Sequence, residues 1–256
     1  MIDVIMPVLD RPSETIMTLE SLYEQNENIR VIVVDNGSYK LDYLDEFPDV
    51  TLIKNDMNLG AIKAFNQGLE IAASDHIVVM HNDILIAYKD WIAGAVEIME
   101  SDVNIGMVGV AGWEKIDQWG EYCSETSISA INGIRNSADQ KTSGAVAVSD
   151  GCCNVIRNIG LRFDERYGYF HLYDLDLSMQ YHRKGYSIYV MEAPGIHLAM
   201  TRQYSSMNSK KYLKQVGKTD MVYGMERQLI FEDKWKDFLP IDTGAFDEIK
   251  LGEWAQ

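Results

Sequence analysis

Three segments of the sequence set carboxylates and imidazoles where they can do chemistry. His81-Asn82-Asp83 follows the apolar run His76-Ile77-Val78-Val79-Met80. A hard divalent cation bridging a diphosphate needs oxygen ligands, and one or two protein groups suffice because the phosphates supply the rest. Asp83 answers that need, with His81 on the same side of an extended chain as a softer second donor. The plainer reading of this segment is an Asx turn that opens the next element. His197 follows the run Ser187-Ile188-Tyr189-Val190-Met191 and can close on the same ion, although a lone histidine is more often structural.

The second segment is Val34-Asp35-Asn36-Gly37-Ser38, a carboxylate and a turn that can accept hydrogen bonds from a ligand's imide or hydroxyl groups. It also reads as an ordinary strand-to-helix turn, since Asn and Gly tolerate the left-handed region. The third is Tyr173-Asp174-Leu175-Asp176-Leu177, preceded by Gly151-Cys152-Cys153-Asn154 and Phe163-Asp164-Glu165-Arg166-Tyr167. Carboxylates at a helix start are favoured by the macrodipole whatever their function. The functional alternative makes one of them a general base that deprotonates an acceptor hydroxyl. A helix N-terminus would lower the pKa of that base, which predicts an ionised and rather weak one.

Positioning these segments requires alternating strands and helices. Val4-Ile5-Met6, Val31-Ile32-Val33-Val34, Thr51-Leu52-Ile53 and Ile77-Val78-Val79-Met80 are short continuous apolar runs, the pattern of strands covered on both faces. Between them, Ser13 can cap a helix with Ile16, Leu19, Leu22 and Tyr23 on one face. Ile62, Phe65 and Leu69 mark a helix from about 61 to 73, and Trp91, Ala95, Ile98 and Met99 mark another. Such alternation implies right-handed crossovers and a parallel sheet, with ligands outside the carboxyl ends of its strands. Residues 113–142 are polar and Gly-dotted and read as a long excursion around the site. Regular pattern returns at Ala145-Val146-Ala147-Val148 and in a helix from about 174 to 184 with Gly185 just past its end. From Tyr204 the chain is richer in Lys, Tyr and Met and reads as a helical flap on the core.

Composition bounds the function classes. The 256 residues include 39 acidic and 23 basic side chains, a formal net charge of −16. Broad duplex or anionic-membrane binding needs clustered Lys and Arg, so no nucleic-acid partner is expected. The apolar share of 46% and charged share of 24% are those of a globular protein with a sizeable core. No apolar run is long enough to span a bilayer, and Met1-Ile2-Asp3-Val4-Ile5-Met6-Pro7 shows no signal-peptide pattern. Three cysteines, Cys123, Cys152 and Cys153, form neither a disulfide framework nor a zinc motif, and a reducing cytoplasm is the expected compartment.

Taken in order, these segments resemble the GT-A-fold glycosyltransferases of family 2. Pro7-Val8, a helix, and Val31-Ile32-Val33-Val34-Asp35-Asn36-Gly37-Ser38 are similar to the opening of that family. Asn58-Leu59-Gly60-Ala61-Ile62-Lys63-Ala64-Phe65-Asn66-Gln67-Gly68 resembles its second signature. His81-Asn82-Asp83 stands at its Asp-X-Asp metal motif, with His81 in place of the first acid. Phe163-Asp164-Glu165 and Tyr173-Asp174-Leu175-Asp176-Leu177 resemble its acceptor-side motif, with Tyr173 in place of the usual Glu. Glu226-Arg227 and Lys234-Trp235 are similar to tails common in bacterial members.

The resemblance implies a mixed, mostly parallel α/β sheet of GT-A (Rossmann-like) type flanked by helices. Residues 1–200 would form the transferase domain, its nucleotide half ending near 112, and 201–256 a C-terminal helical extension packed on it. The implied activity is inverting transfer of a sugar from a nucleoside diphosphate sugar, UDP-linked first, to a hydroxyl of a glycan or lipid-linked acceptor. Pro7, Val8, Arg11, Asp35, Lys63, Asn82 and Asp83 would bind the donor. Asp83, His81 and His197 would hold Mn²⁺ or Mg²⁺. Asp174 would be the general base, with Gly151, Tyr173 and Asp176 on the acceptor side. The alternative is a non-catalytic nucleotide-sugar or glycan-binding module on the same fold. A sugar nucleotidyltransferase ranks last, because Pro7-Val8-Leu9-Asp10-Arg11-Pro12 is not a Gly-rich phosphate loop.

Overall fold

The computed structural model describes residues 1–123, 126–129, 131–132, 141–198 and 212–243. The four apolar runs of the N-terminal part form the strands β1 (Ile2–Val8), β2 (Ile29–Asp35), β3 (Thr51–Lys54) and β4 (His76–Met80). They lie parallel in the order β4-β1-β2-β3, and Val4, Ile5, Met6 and all of residues 31–34 are fully buried. Burial on both faces is why these strands read as continuous rather than alternating apolar runs. The crossovers between them carry α1 (Pro12–Gln25) and α2 (Ala61–Ile71).

After β4 come β5 (Ile84–Ile86), α3 (Trp91–Ser101), β6 (Ile105–Gly109) and β7 (Ala111–Trp113). The excursion holds short strands, β8 (Lys115–Ile116), β9 (Ser127–Ser129) and β10 (Ile131–Asn132), and residues 133–140 lie outside the described residues. It is followed by β11 (Gly144–Val146), β12 (Val148–Ser149), β13 (Cys153–Arg157), α4 (Tyr173–Arg183), β14 (Ser187–Val190) and β15 (Gly195–His197). The last elements among the described residues are α5 (Asp220–Trp235) and β16 (Ile241–Asp242).

Among the described residues the main sheet has eight strands in the order β11-β14-β6-β13-β4-β1-β2-β3. Strand β13 runs antiparallel between β4 and β6, so a reversal sits in the middle of an otherwise mostly parallel sheet. One face packs on α2, α4 and α5, the other on α1 and α3. The single strand expected at residues 145–148 is divided. The Ala147 N–H donates to the Trp113 carbonyl, 2.8 Å, where the chain steps from the main sheet (β11) to a small one built of β12, β7 and β9.

Two helix ends differ from expectation and one agrees. Ser13 does not cap α1: Pro12 takes the first helical position, and Arg11 is the cap residue, in the left-handed region at φ 55° and without a side-chain bond. Proline at that position has no N–H to be capped, which puts Ser13 inside the first turn. The second helix stops at Ile71, short of residue 73. At the end of α4, Gly185 (φ 85°) donates to the His182 carbonyl and Tyr186 to that of Tyr181, the paired bonds of a Schellman turn.

The C-terminal helix α5 is capped by Thr219, whose hydroxyl accepts from the Val222 N–H. It buries Phe231 and Trp235 completely in the core cluster shared with α2 and α4, worth about 2–3 kcal/mol for each side chain. Tyr204 and Met207, where the helical tail was expected to start, fall among residues 199–211, outside the described residues. No helix among the described residues is long and apolar enough to cross a membrane.

Candidate active site

The sheet brings His81, Asp83 and His197 to one place. The β4–β13 ladder pairs Met80 with Cys153, and one step beyond it the His81 N–H donates to the Cys152 carbonyl at 2.8 Å. The small ladder of β5 and β15 sets His197 opposite Ile84, and the Leu198 N–H donates to the Asp83 carbonyl at 2.8 Å. One ligand atom from each of His81, Asp83 and His197 lies within 4.8 Å of the others.

The spacing suits an ion. His197 Nε2 is 3.9 Å from Asp83 Oδ1, too long for a hydrogen bond and close to the separation of two donors on either side of one cation. Burial pushes the His197 pKa down, and although Asp83 opposes the shift, the balance keeps the ring neutral with a lone pair to give. Arg11 Nη1 stands 3.5 Å from Asp83 Oδ2 and supplies positive charge at the same carboxylate. The donor set of two imidazoles and a carboxylate therefore fits a divalent cation.

Asp174 approaches from the other side of the 150–152 turn. Its Oδ2 accepts the Gly151 N–H at 2.9 Å. Tyr173, its neighbour, places its phenol 2.8 Å from His81 Nε2. The expectation of a lowered Asp174 pKa is reversed: burial, and next the Asp150 carboxylate, push it up to about 6 in spite of the backbone N–H groups. Desolvation of a carboxylate outweighs the helix N-terminus here. The result is a better base than expected. Asp150, which also faces His197, escaped sequence reading, though an acid beside Gly151 at a strand end was the available signal. Its Oδ1 accepts the Cys152 N–H at 2.8 Å and holds the turn in shape.

Beside this group, at the ends of β1 and β2, lies a cleft of about 180 Å³. Pro7, Val8 and Leu9 line one side, Asn36 and Asn58 the floor, and Tyr169, Phe170 and Tyr212 the far wall. Tyr169 and Tyr212 stack with ring centroids 3.7 Å apart. Gly60 (φ 89°) lets the start of α2 press against Tyr169, because a Cβ there would come within 2.7 Å of the Tyr169 Cα. Tyr169 and Phe170 were missed; their signal was the run Tyr167-Gly168-Tyr169-Phe170 next to the acidic motif.

Other residues singled out in the sequence are engaged elsewhere. The fully buried Asp35 closes its carboxylate on its own turn, accepting from the N–H groups of Ser38 at 3.0 Å and Gly37 at 3.3 Å, and Asn36 is the turn residue that faces the cleft. Asn82 donates to the Thr15 hydroxyl at 2.8 Å and so ties its loop to α1. Lys63 lies 3.8 Å from Glu165. Asp176, expected on the acceptor side, has its carboxylate turned into the core. It is fully buried and gripped by Lys234 (2.7 Å), Trp235 Nε1 (2.8 Å), Gln180 (2.9 Å) and the Tyr167 hydroxyl (3.1 Å).

A family model described as Glycosyl transferase family 2 matches residues 3–162. The chain belongs to that family. The matched stretch contains His81, Asp83 and Gly151, whereas Tyr173, Asp174 and His197 lie beyond it. An uncharacterized glycosyltransferase of Haemophilus influenzae is 29% identical over 112 residues, 42% of this chain and 37% of that protein. The mannosyltransferase PcManGT from Pyrobaculum calidifontis, solved with GDP-Man and Mn²⁺, superposes with a TM-score of 0.56 at 18% identity, covering 79% of this chain and 58% of its own. GalNAc-T7, solved with UDP, GalNAc and Mn²⁺, gives 0.60 at 14% identity, covering 76% and 43%. This family 2 chain thus has the GT-A fold of those transferases and spans roughly two-fifths to three-fifths of the length of the relatives it matches.

Proposed function

We propose that this family 2 glycosyltransferase transfers a sugar, with inversion, from a nucleoside diphosphate sugar to an acceptor hydroxyl. The observation that carries this reading is the His81–Asp83–His197 group at the carboxyl ends of the strands, with the Asp174 carboxylate joined to it through the 150–152 turn. The nucleoside lies against Pro7, Val8 and the turn held by Asp35. Arg11 and Asp83 face the diphosphate. His81, Asp83 and His197 would hold a divalent ion, Mn²⁺ or Mg²⁺, which would supply positive charge at the leaving diphosphate.

Asp174 takes the proton of the acceptor hydroxyl as its oxygen attacks the anomeric carbon from the face opposite the diphosphate. The bond from that carbon to the diphosphate oxygen breaks in the same step, so the configuration inverts. A pKa near 6 leaves Asp174 ionised at neutral pH and basic enough to accept the proton. Residues 1–112 form the donor half, 113–200 the acceptor half and 201–256 the extension. UDP is the first donor nucleotide to test; the acceptor is a glycan or lipid-linked hydroxyl, and the compartment a reducing cytoplasm.

The test is a thermal-shift screen with UDP, GDP, dTDP and CMP, each with Mn²⁺, Mg²⁺ or EDTA. A nucleotide at about a hundred times its dissociation constant stabilises the native state by about 2.7 kcal/mol. The expected result is metal-dependent stabilisation by one diphosphate that Asp83→Ala abolishes, followed by release of that diphosphate from its sugar nucleotide. Retention of an intact sugar nucleotide would instead identify a binding module, and no shift with any nucleotide would sink the donor site.

A further inference from the structure

Two side chains from distant parts of the chain meet at the candidate metal group. The Tyr173 phenol oxygen lies 2.8 Å from His81 Nε2. They are 92 residues apart in the chain. A neutral imidazole carries one N–H and one lone pair, so what Nε2 does fixes what Nδ1 can do. If Nε2 donates its proton to the Tyr173 oxygen, Nδ1 is left with a lone pair.

Both rings are held. Tyr173 is buried, its ring 5.5 Å from that of Phe163 and 6.0 Å from that of Phe65. Its oxygen fits over Gly151, where any Cβ would come within 2.7 Å of it. The His81 backbone is fixed by the Cys152 carbonyl, and its ring meets His197 edge-on at 6.1 Å. A ring anchored at Nε2 against a partner that cannot swing away is a pre-oriented ligand. Such outer partners of ligating histidines are worth about 10–100-fold in metal affinity.

We propose that Tyr173 is a positioning residue of the metal site: it accepts the proton of His81 Nε2, turns Nδ1 to the ion, and so makes a two-imidazole, one-carboxylate set that favours Mn²⁺ and its transition-metal neighbours over Mg²⁺. This rests on the metal-dependent reading above. The chemistry is that of ligand type, since imidazole suits transition metals and Mg²⁺ holds to carboxylate and water. A carboxylate placed at residue 81 makes the set one that Mg²⁺ accepts.

The experiment is calorimetric titration of Mn²⁺ and of Mg²⁺ into the metal-stripped chain, with and without UDP, for wild type, Tyr173→Phe and His81→Asp. Visible absorption of the Co²⁺-loaded proteins is the second readout. Wild type should bind Mn²⁺ at least tenfold more tightly than Mg²⁺. Tyr173→Phe should weaken Mn²⁺ by about 10–100-fold and change the Co²⁺ bands, because the imidazole loses its anchor. His81→Asp should narrow the Mn²⁺ to Mg²⁺ ratio. Mn²⁺ affinity and Co²⁺ bands unchanged in Tyr173→Phe would overturn the inference and leave the transferase reading standing. Should Tyr173→Phe fail to fold, an unaltered ratio in His81→Asp overturns it just as well. No metal binding by wild type, even with UDP, would sink both readings.

Discussion

Asp174 and Asp176 are two residues apart on one helix, yet their carboxylates serve opposite ends of the structure. A step of two residues turns about 200° around a helix axis. Asp174 therefore meets the Gly151 N–H at the carboxyl ends of the strands, while Asp176 points into the core beneath α5. There it meets Lys234 and Trp235, consecutive residues of that helix. The C-terminal helix thus grips α4 directly behind the candidate base and fixes the angle at which Asp174 faces the site.

The raised pKa of Asp174 sets a pH dependence. A base must be ionised to accept a proton, so kcat/KM should fall as pH drops through about 6. Asp174→Asn should lower turnover by about 10²–10⁴-fold and leave metal-dependent nucleotide binding intact. Stability has the opposite slope. The folded pKa lies above the ordinary 3.8, so the native state binds the proton more tightly and loses stability as pH rises from 3.8 to about 6. Denaturant titrations at pH 5 and pH 8 should therefore show Asp174→Asn gaining relative to wild type at the higher pH. Equal differences at both would contradict the assignment.

Lys234 sits 2.7 Å from Asp176 and 2.8 Å from Asp164. Burial pushes the Asp164 carboxyl up, but Arg166 and Lys234 outweigh it and hold it well below the usual carboxylate range. Lys234→Met removes the cation ion-paired with a fully buried carboxylate and should cost about 3–5 kcal/mol in urea unfolding. Adding Asp176→Asn to that variant should recover part of the loss. A single-variant cost under about 1 kcal/mol would show that Gln180, Tyr167 and Trp235 satisfy Asp176 without the cation.

The parts legible in sequence are those whose burial is uniform. Residues 31–34 are apolar because both faces of β2 are covered, and a continuous run is the direct signature. The same logic could not read β13. Cys153-Asn154-Val155-Ile156-Arg157 carries a buried Asn, satisfied by Ser149 and the Asp150 carbonyl, that breaks the apolar pattern of a central strand. The candidate group of His81, Asp83 and His197 was legible as residue types, because His81 and Asp83 share a strand end. Asp176 was not: an acidic pair at a helix start looks alike whether a residue faces solvent or a lysine 58 positions later. Nothing local in Asp174-Leu175-Asp176 encodes Lys234, and only the packing of α5 separates the two roles.

The stacked pair Tyr169 and Tyr212 forms one wall of the cleft at the end of β1. A base that lies against an aromatic face gains about 1–3 kcal/mol from stacking. Tyr212→Ala should weaken nucleotide binding about tenfold in calorimetry and leave binding of Mn²⁺ alone unchanged. Equal loss of both would mean the ring supports the fold of the site rather than the nucleotide.

Gly151 is the point at which the two halves of the site meet. Its N–H reaches Asp174, and its missing side chain makes room for Tyr173. A Cβ there would lie 2.7 Å from the Tyr173 oxygen, closer than real side chains approach, and at a tight 3.0 Å from the Asp174 Cβ. The phenol is held among Phe65 and Phe163 and cannot retreat, so the strain must move α4 or the 150–152 turn. Gly151→Ala should therefore lower kcat far more than it lowers the melting temperature, because a displacement of about 1 Å at the reacting groups costs about 10²-fold in rate. A variant that melts many degrees lower with kcat per folded molecule unchanged would place the strain in the core and not at the base.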